Sequence, residues 1–175
     1  MSDRDGQDWL SRDYPTAYRT ACLLLCDPVA ARDAVHEAFL RLWRFRDAVP
    51  AGDGRRPWLY RAVVNACSSR VHAEQAAGDR EPGPEGHERL DAEPSRLAGP
   101  AGVSADVIAA LVGLPVALRV PLVLQFWAGL SDTEIAVAID RRPSAVRSRL
   151  HDARQRLALD PRLSGWAVPT AEVFP

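Results

Sequence analysis

Lysine is absent: all 22 basic residues of this 175-residue chain are arginine, so no phosphate-binding loop of the kind that ends in lysine is present. Cysteine is scarce. Cys22, Cys26 and Cys67 show no metal-ligand spacing and would leave an odd thiol if any two paired, which favours reduced core thiols. Cys22 and Cys26 share one helix face, where side chains are poorly placed for a disulfide. No apolar run approaches the roughly 20 residues needed to span a bilayer. The opening MSDRDGQDWLSRDYP mixes acids with Arg and lacks the apolar stretch of a signal peptide, so a cytoplasmic protein without membrane insertion is expected. The four histidines, His36, His72, His87 and His151, are scattered. No nucleophile–base pair, phosphate loop or metal cluster stands out, so an enzyme is the least favoured class, with no catalytic residue, cofactor, metal or small-molecule substrate expected. No segment alternates apolar and polar residues as a half-buried strand does.

What is present is a folded composition, 47 % hydrophobic and 26 % charged, with a net charge of −1 that hides strong segregation. From Arg41 to Arg70 seven Arg face two Asp. Between Asp140 and Arg156 six Arg face two Asp. Between Gly78 and Gly102 six acids face three Arg, in a stretch rich in Gly and Pro. Two basic patches thus flank an acidic spacer that reads as a flexible linker.

Helical periodicity dominates both ends and predicts an all-α protein. A first helix is expected from Trp9 to Leu25, interrupted near Pro15, and Asp27-Pro28 marks a new start. Val29 to Arg46 places Val35, Phe39 and Leu42 on one inward face, with Asp33, Glu37, Arg41 and Arg44 on another. The loop VPAGDGRRP leads into a helix from Trp58 to about His72, with Pro57 in its first turn. Beyond the spacer, Val107 to Gly113, Pro115 to Ala128, Asp132 to Ile139 and Pro143 to Leu159 read as four helices, the second kinked or broken at Pro121. The tail SGWAVPTAEVFP has no helical pattern.

The sharpest local signal is SDTEIAVAIDRRPSAVRSRLHDARQRL, Ser131 to Leu157. Ser131 and Glu134 make a capping box, Ile135, Ala136 and Ile139 face inward, and Asp140, tolerant of left-handed backbone, carries the turn. Val146, Leu150, Ala153 and Leu157 form the next buried stripe. Arg147, Ser148, Arg149, His151, Asp152 and Arg154 are left outward, the layout of a recognition helix reaching phosphates and base edges. An ordinary solvated amphipathic helix is the competing reading.

In three blocks the chain resembles the extracytoplasmic-function sigma factors of bacterial RNA polymerase, the sigma-70 family with its regions 2 and 4. The blocks are ARDAVHEAFLRLW (31–43), RRPWLYRAVVNACSSR (55–70), and ALVGLPVALRVPLVLQFWAGLSDTEIA with AVRSRLHDARQRL (110–157), in the family's order and spacing. The resemblance implies two small helical domains: region 2-like over 1–77, an acidic linker over 78–103, a region 4-like helix-turn-helix domain over 104–160, and a tail over 161–175. It implies a promoter-directing subunit with core RNA polymerase (clamp helices and flap) and promoter DNA as partners, held in check by an anti-sigma factor. Asp33, His36 and Glu37 would meet the clamp helices. Arg56, Trp58, Tyr60, Arg61, Asn65 and Arg70 would serve the minus-10 element, Asn65 hydrogen-bonding a flipped base, Trp58 and Tyr60 offering stacking surface, and the arginines holding phosphates. Core packing is the commoner fate of a Trp such as Trp58. Flipping a base also needs a shaped pocket in the loop before Pro57. Arg147, Ser148, Arg149, His151, Asp152 and Arg154 would serve the minus-35 element.

A 25-residue linker reaches at most about 85 Å, against about 70 Å for two turns of duplex, so both patches can sit on one promoter. Departures from the family pattern are His36 for Gln, Val64 for Arg, Ser69 for Asp, Asp140 for Gly in the turn, Arg142 for a Ser-like N-cap, and Asp152 for a cation. A stand-alone helix-turn-helix regulator explains the second half but leaves blocks 31–43 and 55–70 unexplained; a sigma-like adaptor or decoy fits the departures.

Overall fold

The computed structural model of the chain describes residues 3–50, 52–78 and 103–164. Among them every regular element is helical, as expected: α1 (Asp3–Leu25), α2 (Pro28–Arg44), α3 (Arg55–Gly78), α4 (Ala105–Gly113), α5 (Val116–Phe126), α6 (Asp132–Ala138) and α7 (Pro143–Ala158), with short 3-10 turns between and after them. The expected linker 78–103 and the tail beyond Ser164 lie outside the described residues, apart from Gly78 and Val103 at the linker's ends. Pro161–Leu163, at the start of that tail, forms a 3-10 turn that packs on α4 and buries Leu163.

The local start signals behave as their chemistry dictates. Asp27 caps α2, its carboxylate accepting from Val29 N at 2.7 Å and Ala30 N at 3.0 Å, and Pro28 occupies the first turn where no donor is lost. At α6 the Ser131 N–H donates to Glu134 Oε2 at 2.8 Å while the Ser131 hydroxyl accepts from Glu134 N, completing the capping box. Asp140 takes the left-handed turn at φ 53°. Helix α7 begins at Arg142 with no side-chain cap, the loss anticipated from that substitution. Gly129, at φ 65°, turns the chain between α5 and α6, where a side chain would be strained.

Neither Pro15 nor Pro121 breaks its helix, against the interruption expected at the first and the break expected as one outcome at the second: α1 runs through Pro15 and α5 through Pro121. A proline inside a helix strands the carbonyl four residues back. Those carbonyls belong to Ser11 and Ala117, both exposed residues, where solvent can take the place of the lost donor. Packing then holds the helices together. Tyr14 stacks on Tyr18 at 6.3 Å and meets Phe39 edge-on at 5.6 Å, while Pro121, Leu122, Val123 and Leu124 are all buried.

Helices α1, α2 and α3 form one bundle, in which α2 buries Ala31, Ala34, Val35, Ala38 and Leu42 against its neighbours. Helices α4 to α7 form the second, with Val146, Leu150 and Ala153 of α7 packed on α5 and α6. The bundles touch. Helix α1 packs on α4 and α5, α3 packs on α6, and one apolar core runs through both. The two expected domains are therefore seen docked against each other.

Candidate nucleic-acid interface

Three surfaces carry the residues singled out from sequence, and the structure treats them differently. On α2, Asp33, His36 and Glu37 are all exposed on the side away from Ala34, Val35 and Ala38. Glu37 pairs with Arg41 at 3.4 Å one turn on, and Asp33 lies 3.8 Å from Arg32. Exposed pairs of this kind contribute about 0.3–0.5 kcal/mol, so this face is available to a partner at little cost. The same face carries exposed Val29 and Leu40, which sequence reasoning passed over although their spacing matches the outward acids.

On α3, helical spacing divides the six expected residues. Positions 58, 61 and 65 are three and seven residues apart and share one face. Trp58 is 37 % exposed rather than core, the Arg61 guanidinium sits 5.7 Å from its ring centroid, and Asn65 is exposed beside them. These three line a cleft of about 290 Å³ whose remaining walls are Arg41, Leu42, Phe45, Ala48, Val49 and Ala62. The end of α2 and the loop that follows therefore wall this cleft. Phe45, 59 % exposed directly after the last turn of α2, is the signal in the sequence that pointed there and went unused.

Tyr60 corrects an expectation. It projects from the opposite side of α3 and is fully buried, so its ring offers no stacking surface in this structure. Burial pushes its phenol up to about 12, and the hydroxyl finds no partner of good geometry although Thr20 and Arg56 lie close. Arg56 is half-buried, its guanidinium donating to the Ala128 carbonyl of the second bundle. Arg70 is half-buried too, with its Nε shielded and unpaired. Cys67, between them in sequence, is buried and its thiol is pushed up to about 12, mainly by desolvation. All three cysteines are free.

On α7, Arg147, Ser148, His151 and Asp152 are exposed and Arg149 is half-exposed, opposite the buried stripe. Arg154 is set apart. Its guanidinium donates to Gln125 Oε1 at 2.6 Å and lies over the Phe126 ring at 5.7 Å, while the Gln125 amide donates to Asp132 at 3.3 Å. Arg154 thus ties α7 to α5 and α6. A shallow depression of about 480 Å³ lies over the turn, lined by Asp140, Arg141, Arg142, Ser144 and Ala145.

Arg119, which the sequence reading left without a role beyond its place in the third block, is a packing keystone. It is half-buried and donates to the Val112 carbonyl at 2.7 Å and the Leu114 carbonyl at 3.1 Å, closing the end of α4, and to the Leu24 carbonyl at 3.2 Å across the bundle boundary. Burial lowers its pKa, yet three carbonyls compensate the charge. Among the described residues no cluster of His, Cys, Asp and Glu has the makings of a metal site, and no helix is long and apolar enough to cross a membrane.

Comparison with known proteins agrees with this division. Residues 9–76 match the family Sigma-70 region 2, and residues 104–157 match Sigma-70, region 4. The chain is 30 % identical over 148 residues to the RNA polymerase sigma-H factor of Pseudomonas aeruginosa, covering 78 % of this chain and 77 % of that one. It is 32 % identical over 143 residues to the ECF RNA polymerase sigma factor SigE of Mycolicibacterium smegmatis, across 80 % of this chain but only 55 % of that protein, so it spans about half that relative's length. In fold it resembles the sigma factor RpoE of Bartonella quintana, solved in complex with the anti-sigma factor NepR, with a TM-score of 0.71 at 20 % identity over 89 % of this chain and 95 % of that one.

Proposed function

The chain belongs to the sigma-70 family, and we propose that it is of the extracytoplasmic-function group, like the relatives that carry that name, and that it binds core RNA polymerase and directs it to promoters bearing its own minus-10 and minus-35 elements. The observation that carries this reading is the cleft where Trp58, Arg61 and Asn65 converge, in the bundle matching region 2, while a separate helix offers Arg147, Ser148, Arg149 and His151 in the bundle matching region 4. The cleft is of a size for a single planar ring system, smaller than most pockets for drug-sized ligands. Asn65 would supply both a donor and an acceptor to a base edge, Trp58 and Phe45 apolar faces, and Arg41 and Arg61 charge for the flanking phosphates.

Asp33, His36 and Glu37, with Leu40 beside them, would form the contact with the polymerase clamp helices, and α7 would enter the major groove at the minus-35 element. There Asp152 would accept from a cytosine amine, a preference that a cation at that position would not have. Catalysis belongs to the polymerase, and the chain itself would act as a cytoplasmic, non-enzymatic subunit. An anti-sigma factor like the one bound by the Bartonella protein is the expected regulator.

Run-off transcription with purified core polymerase tests the reading. The wild-type chain should support initiation from a cognate promoter, and Asp33→Lys with Glu37→Lys should reduce it at least tenfold by reversing charge on the clamp-facing side. Full activity of that double variant contradicts the clamp assignment, and failure of the wild type to associate with core polymerase contradicts the function.

A further inference from the structure

The buried face of α7 is narrow: Val146, Leu150 and Ala153, with Leu157 half-buried beyond them. Such a line of apolar contacts sets how deeply the helix sits on α5 and α6 but resists a roll about its own axis poorly. With side chains a helix is about 10–12 Å across, so a roll of roughly 10° moves a side-chain tip by about 1 Å. A recognition constellation tolerates about 0.5 Å. Holding the roll therefore takes a contact off the apolar line.

Arg154 makes such a contact. It follows Arg147 by two helical turns and so falls on the same side of α7, yet its side chain turns inward. Nη2 donates to Gln125 Oε1 at 2.6 Å, and the guanidinium carbon lies 5.7 Å from the centroid of the Phe126 ring at the end of α5. Gln125, half-buried beside Phe126, passes the link on: its amide donates at 3.3 Å to Asp132, the first residue of α6. A primary amide suits the middle place because it accepts through its oxygen and donates through its nitrogen. Cation, amide and carboxylate thus form one polar chain across three helices.

We propose, on the reading that α7 enters the major groove at the minus-35 element, that Arg154 is a positioning residue for that element and not a phosphate contact. Through Gln125 and Asp132 it fixes the roll of α7, and with it the placing of Arg147, Ser148, His151 and Asp152 toward base edges. Arg154 thereby leaves the set that helical periodicity assigns to DNA. Gln125 and Asp132, neither of them on α7, join the residues that decide how sharply the element is read.

Holoenzyme reconstituted from the full chain and core polymerase tests this. The readout is the ratio of Kd values for two promoter duplexes, identical except that one carries a scrambled minus-35 element. Loss of folded chain weakens binding to both duplexes alike and leaves the ratio unmoved, so a change in the ratio is a change in recognition. It should fall about threefold or more for Arg154→Met, and as much for Gln125→Leu although that change removes no charge; both together should cost no more than either alone. Gln125→Glu combined with Asp132→Asn keeps the net charge and should restore the wild-type ratio, since Arg154 retains an acceptor and the new amide donates back to the new carboxylate. The slope of log Kd against log salt should be the same for Arg154→Met as for wild type, where loss of a phosphate contact would shift it by about 0.9. An unchanged ratio in either single variant, a slope shifted by that amount, or failure of the paired change to restore the ratio overturns the positioning role. A wild-type holoenzyme that binds both duplexes equally overturns the minus-35 reading itself, whereas one that discriminates while the variants miss these outcomes loses only the role given to Arg154.

Discussion

Helices α3 and α7 make an instructive pair. Helix α7 buries a narrow apolar stripe and leaves Arg147, Ser148, His151 and Asp152 in solvent, with only Arg154 drawn into contact with Gln125 of α5. Helix α3 is buried on most sides: Leu59, Tyr60, Val63, Ala66 and Cys67 all lie in the core, and two of its arginines are engaged across the bundle boundary. A helix that docks on duplex through one face can be amphipathic in the ordinary way. One that lines a cleft needs walls, and walls come from neighbouring elements, here the end of α2 and the loop after it. The difference explains why the buried and exposed faces of α7, Arg154 apart, followed from its own periodicity and those of α3 did not.

The comparison can be broken at its packing. Leu150 is 2 % exposed and anchors α7 on its neighbours. Leu150→Ala should cost about 2–5 kcal/mol, read by chemical denaturation, and should abolish minus-35 protection together with the fold of the second bundle. Arg147→Ala with Arg149→Ala should change stability by no more than about 0.5 kcal/mol yet lose the same protection while sparing polymerase binding. Equal destabilisation by both sets would place the arginines in packing rather than recognition.

A second contrast uses pH. Tyr60 and Cys67, both in the first bundle, are raised by burial from ordinary values of 10.0 and 9.0 to about 12. The unfolded chain therefore ionises first as pH rises. Stability is fully present below pH ~9 and falls between about 9 and 12, with each group contributing up to about 1.4 kcal/mol per pH unit. Thermal melts from pH 8 to 11 should show this loss, and Cys67→Ser should flatten the part that begins near pH 9. The same burial predicts that Cys67 resists alkylation in the native protein at pH 8.

The smallest effect concerns helix starts. Ser131→Ala removes the reciprocal cap of α6 and should cost about 1 kcal/mol, whereas Arg142→Ser supplies the cap that α7 lacks and should gain a similar amount. Paired denaturation curves measure both, and a change of the same sign in each would undo the assignment of the caps.

Much of this was legible in the chain itself because the signals are local. The Ser131–Glu134 box, the Asp27-Pro28 start, the Asp140 turn and the inward stripes of α2 and α7 each depend on residues within a few positions of one another. What escaped depends on distance along the chain. Arg119 reaches Leu24 across 95 residues and Arg56 reaches Ala128 across 72, and no periodicity encodes such pairings. The burial of Tyr60 and the diversion of Arg154 to Gln125 follow from how helices dock, not from their own patterns. Prolines 15 and 121 misled for the opposite reason: their local cost is real, but exposed carbonyls and tertiary packing offset it.

The most direct test of the account is to load core polymerase with this chain, recover the bound DNA and sequence it. Two short shared blocks, separated by about two helical turns, are the predicted result. Recovery of one block alone, or of DNA no different from that held by core polymerase without the chain, would contradict it.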